Sequence, residues 1–285
     1  MNVLSLFDGM SCGQIALNRL GIKYDNYFAC EIKNIAIKLT QHHYPKTIQL
    51  GDVTKLNVND LPKIDLLIGG SPCQDFSILK TNGEGLEGDK SKLFYEYLRI
   101  KNELNPKFFL LENVRMKKTS EDELNKYLGV KGIHINSELV SYQKRPRIYW
   151  TNIPNIEVPK DRNIDFQDFK ETNYDICKQY ELKKTKSRIK MWGNGEGRNS
   201  ELKRCSNITN AKKIYCLSRK QDRSPNSGLV QLDDWCRYLT RKELEQAQTV
   251  PVGYTDIVSI NQAQDLLGDG WTVDVICHIL KRLSN

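Results

Sequence analysis

The chain has 285 residues, 39% of them hydrophobic, and a formal net charge of +8, enough sequence to bury a core without disulfide or metal staples. Its eight cysteines contain no C-x-x-C pair and its four histidines complete no zinc pattern, which excludes a stapled mini-fold and leaves no metal expected. No apolar run approaches the roughly 20 residues of a membrane span, and the opening Val3-Leu4-Ser5-Leu6-Phe7 lacks the basic start of a signal peptide, so a soluble, cytoplasmic protein is expected.

Up to about residue 153, short apolar runs alternate with amphipathic segments, the pattern of βαβ units. Strands are predicted over 2–7, 27–31, 64–69, 107–112, 134–141 and 147–153, and helices near 13–20, 33–43, 92–104 and 121–128. The first strand enters Asp8-Gly9-Met10-Ser11-Cys12-Gly13, a turn whose glycines let the backbone approach a ligand and whose helix start offers N–H groups. It is neither G-x-G-x-x-G nor a Walker loop, which disfavours a dinucleotide or a triphosphate. Glu31 ends the second strand, where an acid commonly grips ribose hydroxyls. Asp52 follows at the next strand end. Gly, Glu and Asp at three strand ends suit an adenosine.

The run 64–68 passes into Gly69-Gly70-Ser71-Pro72-Cys73-Gln74, and 108–111 passes into Glu112-Asn113-Val114. In an open parallel sheet the strand carboxyl ends face one crevice, so this thiol and this carboxyl can converge there. The pairing suggests covalent catalysis on a flat, electron-poor ring. Residues 77–91, with Gly83, Gly85 and Gly88, read as a lid loop.

From 154 to 236 the apolar periodicity fades. Between Lys183 and Lys220 stand twelve Lys or Arg against Glu196 and Glu201, a local net of +10 that leaves −2 for the rest of the chain. With Trp192 and Tyr215 interleaved, this is a candidate phosphate-binding surface. Order returns at Thr240-Arg241-Lys242-Glu243, a capping-box helix start. Ser259 opens another helix that Gly268 would terminate, and a last amphipathic helix spans 273–283. The expected organisation is one domain of 1–153 plus 237–285 and a smaller, irregular one of 154–236.

Several blocks together resemble the cytosine-5 DNA methyltransferase family, which uses S-adenosylmethionine. They are Phe7-Asp8-Gly9-x-x-x-Gly13, Glu31, Asp52, Pro72-Cys73-Gln74, Glu112-Asn113-Val114 and Gln143-Lys144-Arg145-Pro146-Arg147-Ile148-Tyr149. Arg237-Tyr238-Leu239-Thr240-x-x-Glu243 with Gln248 and Pro251, and Leu267-Gly268-Asp269-Gly270-Trp271-Thr272-Val273, complete the set. They stand in the family's order and cover the chain apart from its basic region.

The resemblance implies an α/β fold: a doubly wound, mostly parallel, Rossmann-like sheet of the S-adenosylmethionine-dependent type, with 154–236 as a target-recognition domain. It implies that Cys73 adds to carbon 6 of a cytosine flipped from double-stranded DNA, and that Glu112 steadies ring nitrogen 3. Arg147 would contact the base oxygen, and Arg145 would orient the thiol loop or a phosphate. Phe7, Gly9 and Gly13 would surround the methionine end of the cofactor, Glu31 the ribose and Asp52 the adenine amino group. Ile32 and Val53 would flank the adenine, Trp271 would close the pocket, and Asp8 and Pro72 complete the cofactor-binding set. Asp269 departs from the Asn that the family commonly carries there. The short build resembles bacterial or phage enzymes, restriction–modification is the setting the resemblance implies while the existence of a restriction partner stays open, and a monomer is expected. A tRNA cytosine-5 methyltransferase and a catalytically inactive DNA-binding relative remain the alternatives, and the target sequence and its reading residues stay open.

Overall fold

The computed structural model describes residues 1–71, 92–186, 207–223, 225–232 and 235–284. The chain forms two compact units. The first is Met1–Ile135 with Pro146–Pro159 and Val275–Asn285; the second is Asn136–Arg145 with Lys160–Asp274.

The first unit is built on β1 (Asn2–Leu6), α1 (Cys12–Arg19), β2 (Asn26–Cys30), α2 (Asn34–His43), β3 (Ile48–Gln49), β4 (Leu66–Gly70), α3 (Lys92–Leu104), β5 (Phe108–Val114), α4 (Lys118–Leu128), β6 (Ile133–Asn136) and β7 (Pro146–Thr151). The sheet runs β3-β2-β1-β4-β5-β7-β6. β1 pairs in parallel with β2 and β4, β4 pairs in parallel with β5, and β7 runs antiparallel to β5. The strand order reverses between β1 and β4, so the crevice lies at their carboxyl ends.

These strands are buried on both faces, which is why they read as continuous apolar runs rather than alternating ones. Leu4, Leu6, Leu67, Leu111 and Trp150 share one core with Phe94, Tyr97 and Ile100, the last three spaced to form one stripe of α3. Gly132 makes room for β7: a Cβ there would stand 2.5 Å from Ile148 Cγ2. Trp150 Nε1 donates to Asn125 Oδ1 at 2.7 Å. Cys12, Cys30, Cys177, Cys236 and Cys277 are buried thiols.

The strand expected over 134–141 stops at Asn136. Its side-chain carbonyl accepts from Glu138 N at 3.3 Å and Arg145 N at 2.9 Å, which turns the chain into a 3-10 segment, Ser137–Leu139.

The second unit contains α5 (Tyr174–Gln179), the antiparallel pair β8 (Val230–Leu232) and β9 (Trp235–Arg237), α6 (Arg241–Ala247) and α7 (Ile260–Asp269). α8 (Val273–Leu280) then carries the chain into the first unit. α6 and α7 pack in the second unit. Ser141 Oγ donates to Ala247 O at 2.6 Å, Tyr142 Oη donates to Glu243 O at 2.5 Å, and Gln143 Nε2 donates to Gln248 Oε1 at 3.0 Å. Arg237 and Glu243, both fully buried, form a two-pronged ion pair at 2.8 and 2.9 Å.

Both helix starts carry capping boxes, Thr240 with Glu243 and Ser259 with Gln262. Gly268 does not end α7. It lies inside the helix, where a Cβ would meet the Ser218 carbonyl carbon at 2.5 Å, so its missing side chain serves close packing.

Candidate active site at the carboxyl edge of the sheet

Parallel pairing sets Gly70 beside Glu112, and antiparallel pairing sets Val114 opposite Arg147. The Glu112 carboxylate meets Arg147 Nε at 2.9 Å, with 11% and 13% of the two side chains exposed. Arg147 also donates to Pro146 O at 2.9 Å. The structure thus brings Glu112 and Arg147 together at the end of β5.

Asn113, whose side chain leaves the opposite face of the strand, ties β5 to the end of β4. Its Nδ2 donates to Ser71 Oγ at 3.0 Å and to Ser71 O at 3.4 Å, while its Oδ1 accepts from Val114 N at 2.8 Å. Sequence reasoning gave Asn113 no role, although its place one residue past the strand acid was the available signal. Ser71 stands two residues before Cys73 in the sequence. Cys73, Pro72 and the expected lid 77–91 lie outside the described residues.

Arg145 lies in the second unit, and its guanidinium is spent there. It donates to Leu217 O at 2.9 Å, Gly268 O at 3.1 Å, Gly270 O at 2.8 Å and Cys216 Sγ at 3.3 Å. At 3% exposure it braces these turns.

The turn after β1 is strained. Phe7, Gly9 and Ser11 all have positive φ, at 59°, 59° and 61°, a cost sustained by the contacts around it. Glu31 supplies several of them: Oε2 accepts from Gly9 N at 2.8 Å, and Oε1 accepts from Ile32 N and Lys33 N at 2.8 and 2.9 Å. Gly9 needs its left-handed backbone. Gly13, expected near the cofactor, is also closely packed: a Cβ would stand 2.3 Å from Ile68 Cδ1 and 2.7 Å from Tyr27 Oη.

Asp52 Oδ1 accepts from Thr54 N and Thr54 Oγ1, and the backbone bond foremost holds its carboxyl below the usual range. Val53 beside it is buried, while Ile32 is 70% exposed. Asp8 takes a 2.8 Å hydrogen bond from Tyr27 Oη on Oδ1, while Oδ2 is buried with no hydrogen-bond partner among the described residues. Burial pushes the Asp8 carboxyl up to about 6. Cys30 senses the whole group: burial first, then the fields of Asp8, Asp52 and Glu31, push its thiol up to about 12.

Three carboxylates around one sheet edge, one with an unpartnered buried oxygen, beside an exposed Ile32, fit a positively charged nucleoside. Trp271 is half-buried in the second unit, and Asp269 lies 3.7 Å from Arg219 Nε. Among the described residues no group of His, Cys, Asp and Glu is arranged to hold a metal ion, and no helix is long and apolar enough to cross a membrane.

A profile of the family described as C-5 cytosine-specific DNA methylase matches residues 1–162, more than half of the chain. The chain belongs to this family.

The chain is 38% identical over 117 residues to the orphan methyltransferase M.SPRI of Bacillus phage SPR, a match covering 40% of this chain and 26% of that one. It is 32% identical over 162 residues to the Type II methyltransferase M.NgoFVII of Neisseria gonorrhoeae, covering 56% and 41%. The matched stretches span about a quarter to two fifths of those relatives' length. In fold the chain is similar to the Entamoeba histolytica methyltransferase EhMeth, with a TM-score of 0.79, 16% identity, and 99% and 97% of the two chains covered. The S. pombe Dnmt2 methyltransferase is similar at a TM-score of 0.77 and 18% identity, with the same coverage. The mostly parallel seven-stranded sheet is that of the S-adenosylmethionine-dependent methyltransferases.

Proposed function

We propose that this methylase methylates carbon 5 of a cytosine swung out of duplex DNA. The observation that carries the reading is the Glu112–Arg147 pair at the end of β5, beside the strand whose next residues lead to Cys73. Two residues of extended chain span at most about 7 Å, and Asn113 fastens Ser71, the residue from which that span begins.

In this reading the Cys73 thiolate forms a bond to carbon 6 of the cytosine, and ring nitrogen 3 takes up a proton shared with Glu112, so that carbon 5 becomes nucleophilic. Arg147 holds the Glu112 carboxylate and faces the base oxygen. After carbon 5 gains the methyl, a base takes its proton, the C5–H electron pair re-forms the C5=C6 double bond, the Cys73 sulfur leaves with the C6–S pair, and nitrogen 3 returns its proton to Glu112. S-adenosylmethionine, when bound, supplies an electrophilic methyl on a sulfonium. Phe7, Asp8, Gly9, Gly13 and Glu31 would hold it with Asp52, Ile32 and Val53.

Residues 154–236 are assigned to target recognition, because extrusion of a base costs a few kcal/mol that contacts to the duplex must offset. Exposed Lys183, Lys184 and Lys186 suit phosphates, whose binding is salt dependent. We assign a monomeric, cytoplasmic enzyme. The test is incubation with S-adenosylmethionine and, side by side, duplex DNA of diverse sequence and tRNA. 5-Methylcytosine in the DNA supports the reading; methylation of tRNA alone would replace it.

A further inference from the structure

Segment 218–223 of the second unit is a basic loop held in one shape from several sides. Just before it, Leu217 N donates to Gln143 Oε1 at 2.8 Å and Leu217 O accepts from Arg145. Gly268 is pressed against its first peptide, 2.5 Å from a Cβ position to Ser218 C and 2.7 Å to Arg219 N. Asp265 Oδ1 accepts from Lys220 N at 2.9 Å. Buried Gln221 donates to Ser218 O and Oγ at 2.8 and 2.9 Å and accepts from Ser227 Oγ at 2.8 Å.

On that frame Lys220 has a φ of +58°, a left-handed backbone that glycine adopts freely and lysine does not. The other non-glycine residues with positive φ among the described residues are Phe7, Ser11, Asn105, Asn155, Asn163 and Thr249, so Lys220 is the charged one. Strain held by surrounding contacts is found where a side chain is aimed at a ligand. Arg219, Lys220 and Arg223 are exposed. Arg219 lies 3.7 and 3.9 Å from Asp269 and Asp265, and Arg223 lies 3.9 Å from Asp222. The Lys220 ammonium has no ion-pair partner among the described residues.

We propose that segment 218–223 is a pre-shaped cationic loop that grips the backbone of duplex DNA, with Lys220 contacting a phosphate and so setting where the target strand lies. This rests on the duplex-DNA reading above and adds to it a named contact. Gln143, Arg145 and Gly268, residues of the family-like blocks, then serve as positioning residues for this loop.

Lys220→Gly removes the charge and relieves the left-handed backbone in one change, so a folding failure does not obscure the result. With the full chain and S-adenosylhomocysteine, duplex binding is followed by fluorescence anisotropy across a salt series. The Tm of Lys220→Gly should equal or exceed that of the wild type. Its affinity should fall about tenfold at low salt, and the slope of log affinity against log salt should shrink by about 0.9. Lys220→Arg should keep the wild-type slope. A wild-type slope in Lys220→Gly, with wild-type protein binding duplex normally, overturns the loop assignment and leaves the duplex reading standing. Wild-type protein that binds tRNA and not duplex DNA overturns both.

Discussion

Glu112 and Arg147 stand on neighbouring antiparallel strands, and their side chains meet at 2.9 Å with little exposure to water. An ion pair at a strand end, rather than within a core, places its charge where a substrate ring can reach it. Glu112→Gln keeps the shape and removes the ionisable group. Methyl transfer should fall by about 10²- to 10⁴-fold, with S-adenosylhomocysteine affinity unchanged by calorimetry. Arg147→Leu should cost about 1.5–3 kcal/mol in urea unfolding, because it removes a charge-assisted hydrogen bond from the partly buried carboxylate.

Asn113 acts one step back from the chemistry. Asn113→Ala breaks its bonds to Ser71 and loosens the segment that precedes Cys73. Turnover should fall about 10²-fold, the scale of a small misplacement of a reacting group. Cofactor affinity, measured alongside, should stay within a factor of two; an equal loss of both would mean that Asn113 supports the whole edge.

The Asp8 carboxyl, pushed up to about 6 by burial, with the Glu31 field adding to it, gives a pH prediction of definite sign. Tyr24, Tyr27 and Cys30 are the other titratable groups coupled to it. Its folded pKa exceeds the unfolded 3.8, so the folded state holds the proton more tightly and loses stability as pH rises from about 3.8 to about 6. The loss is at most about 3 kcal/mol. Asp8→Asn should therefore raise Tm at pH 8 and leave it nearly unchanged at pH 4. A Tm gain at pH 4 equal to that at pH 8 would contradict this.

The fully buried Arg237–Glu243 pair, further tied by Thr240 N to Glu243 Oε2 at 2.7 Å and Glu171 N to Glu243 Oε1 at 2.8 Å, predicts a large stability effect. Glu243→Ala should cost about 3–5 kcal/mol, read by denaturant unfolding.

The sheet was readable because its signals are local. Continuous apolar runs marked β1, β2, β4 and β5, and the acids near their carboxyl ends, Asp8, Glu31 and Glu112, sit where a parallel sheet gathers its chemistry. The second unit was not readable in the same way. Gln143, Arg237, Glu243 and Gln248 carry polar side chains that periodicity assigns to the surface, yet all four are fully buried. Their partners lie far along the chain, as when Gln143 meets Gln248 across 105 positions. Packing at glycines was hidden for a related reason: at Gly13 and Gly268 a Cβ would meet Ile68 and the Ser218 backbone, contacts that only the fold creates. The enclosure of Arg145 was equally hidden, because its four carbonyl and sulfur acceptors come from 216–217 and 268–270, far along the chain.

The most direct measurement of the central claim is a trapping experiment on duplex DNA carrying 5-fluorocytosine, in the presence of S-adenosylmethionine. Fluorine blocks the elimination that would release the sulfur, so the wild-type chain should remain bonded to the DNA through denaturing electrophoresis and Cys73→Ala should not. Protein that methylates ordinary duplex yet yields no adduct, or an adduct that persists in Cys73→Ala, would contradict the account.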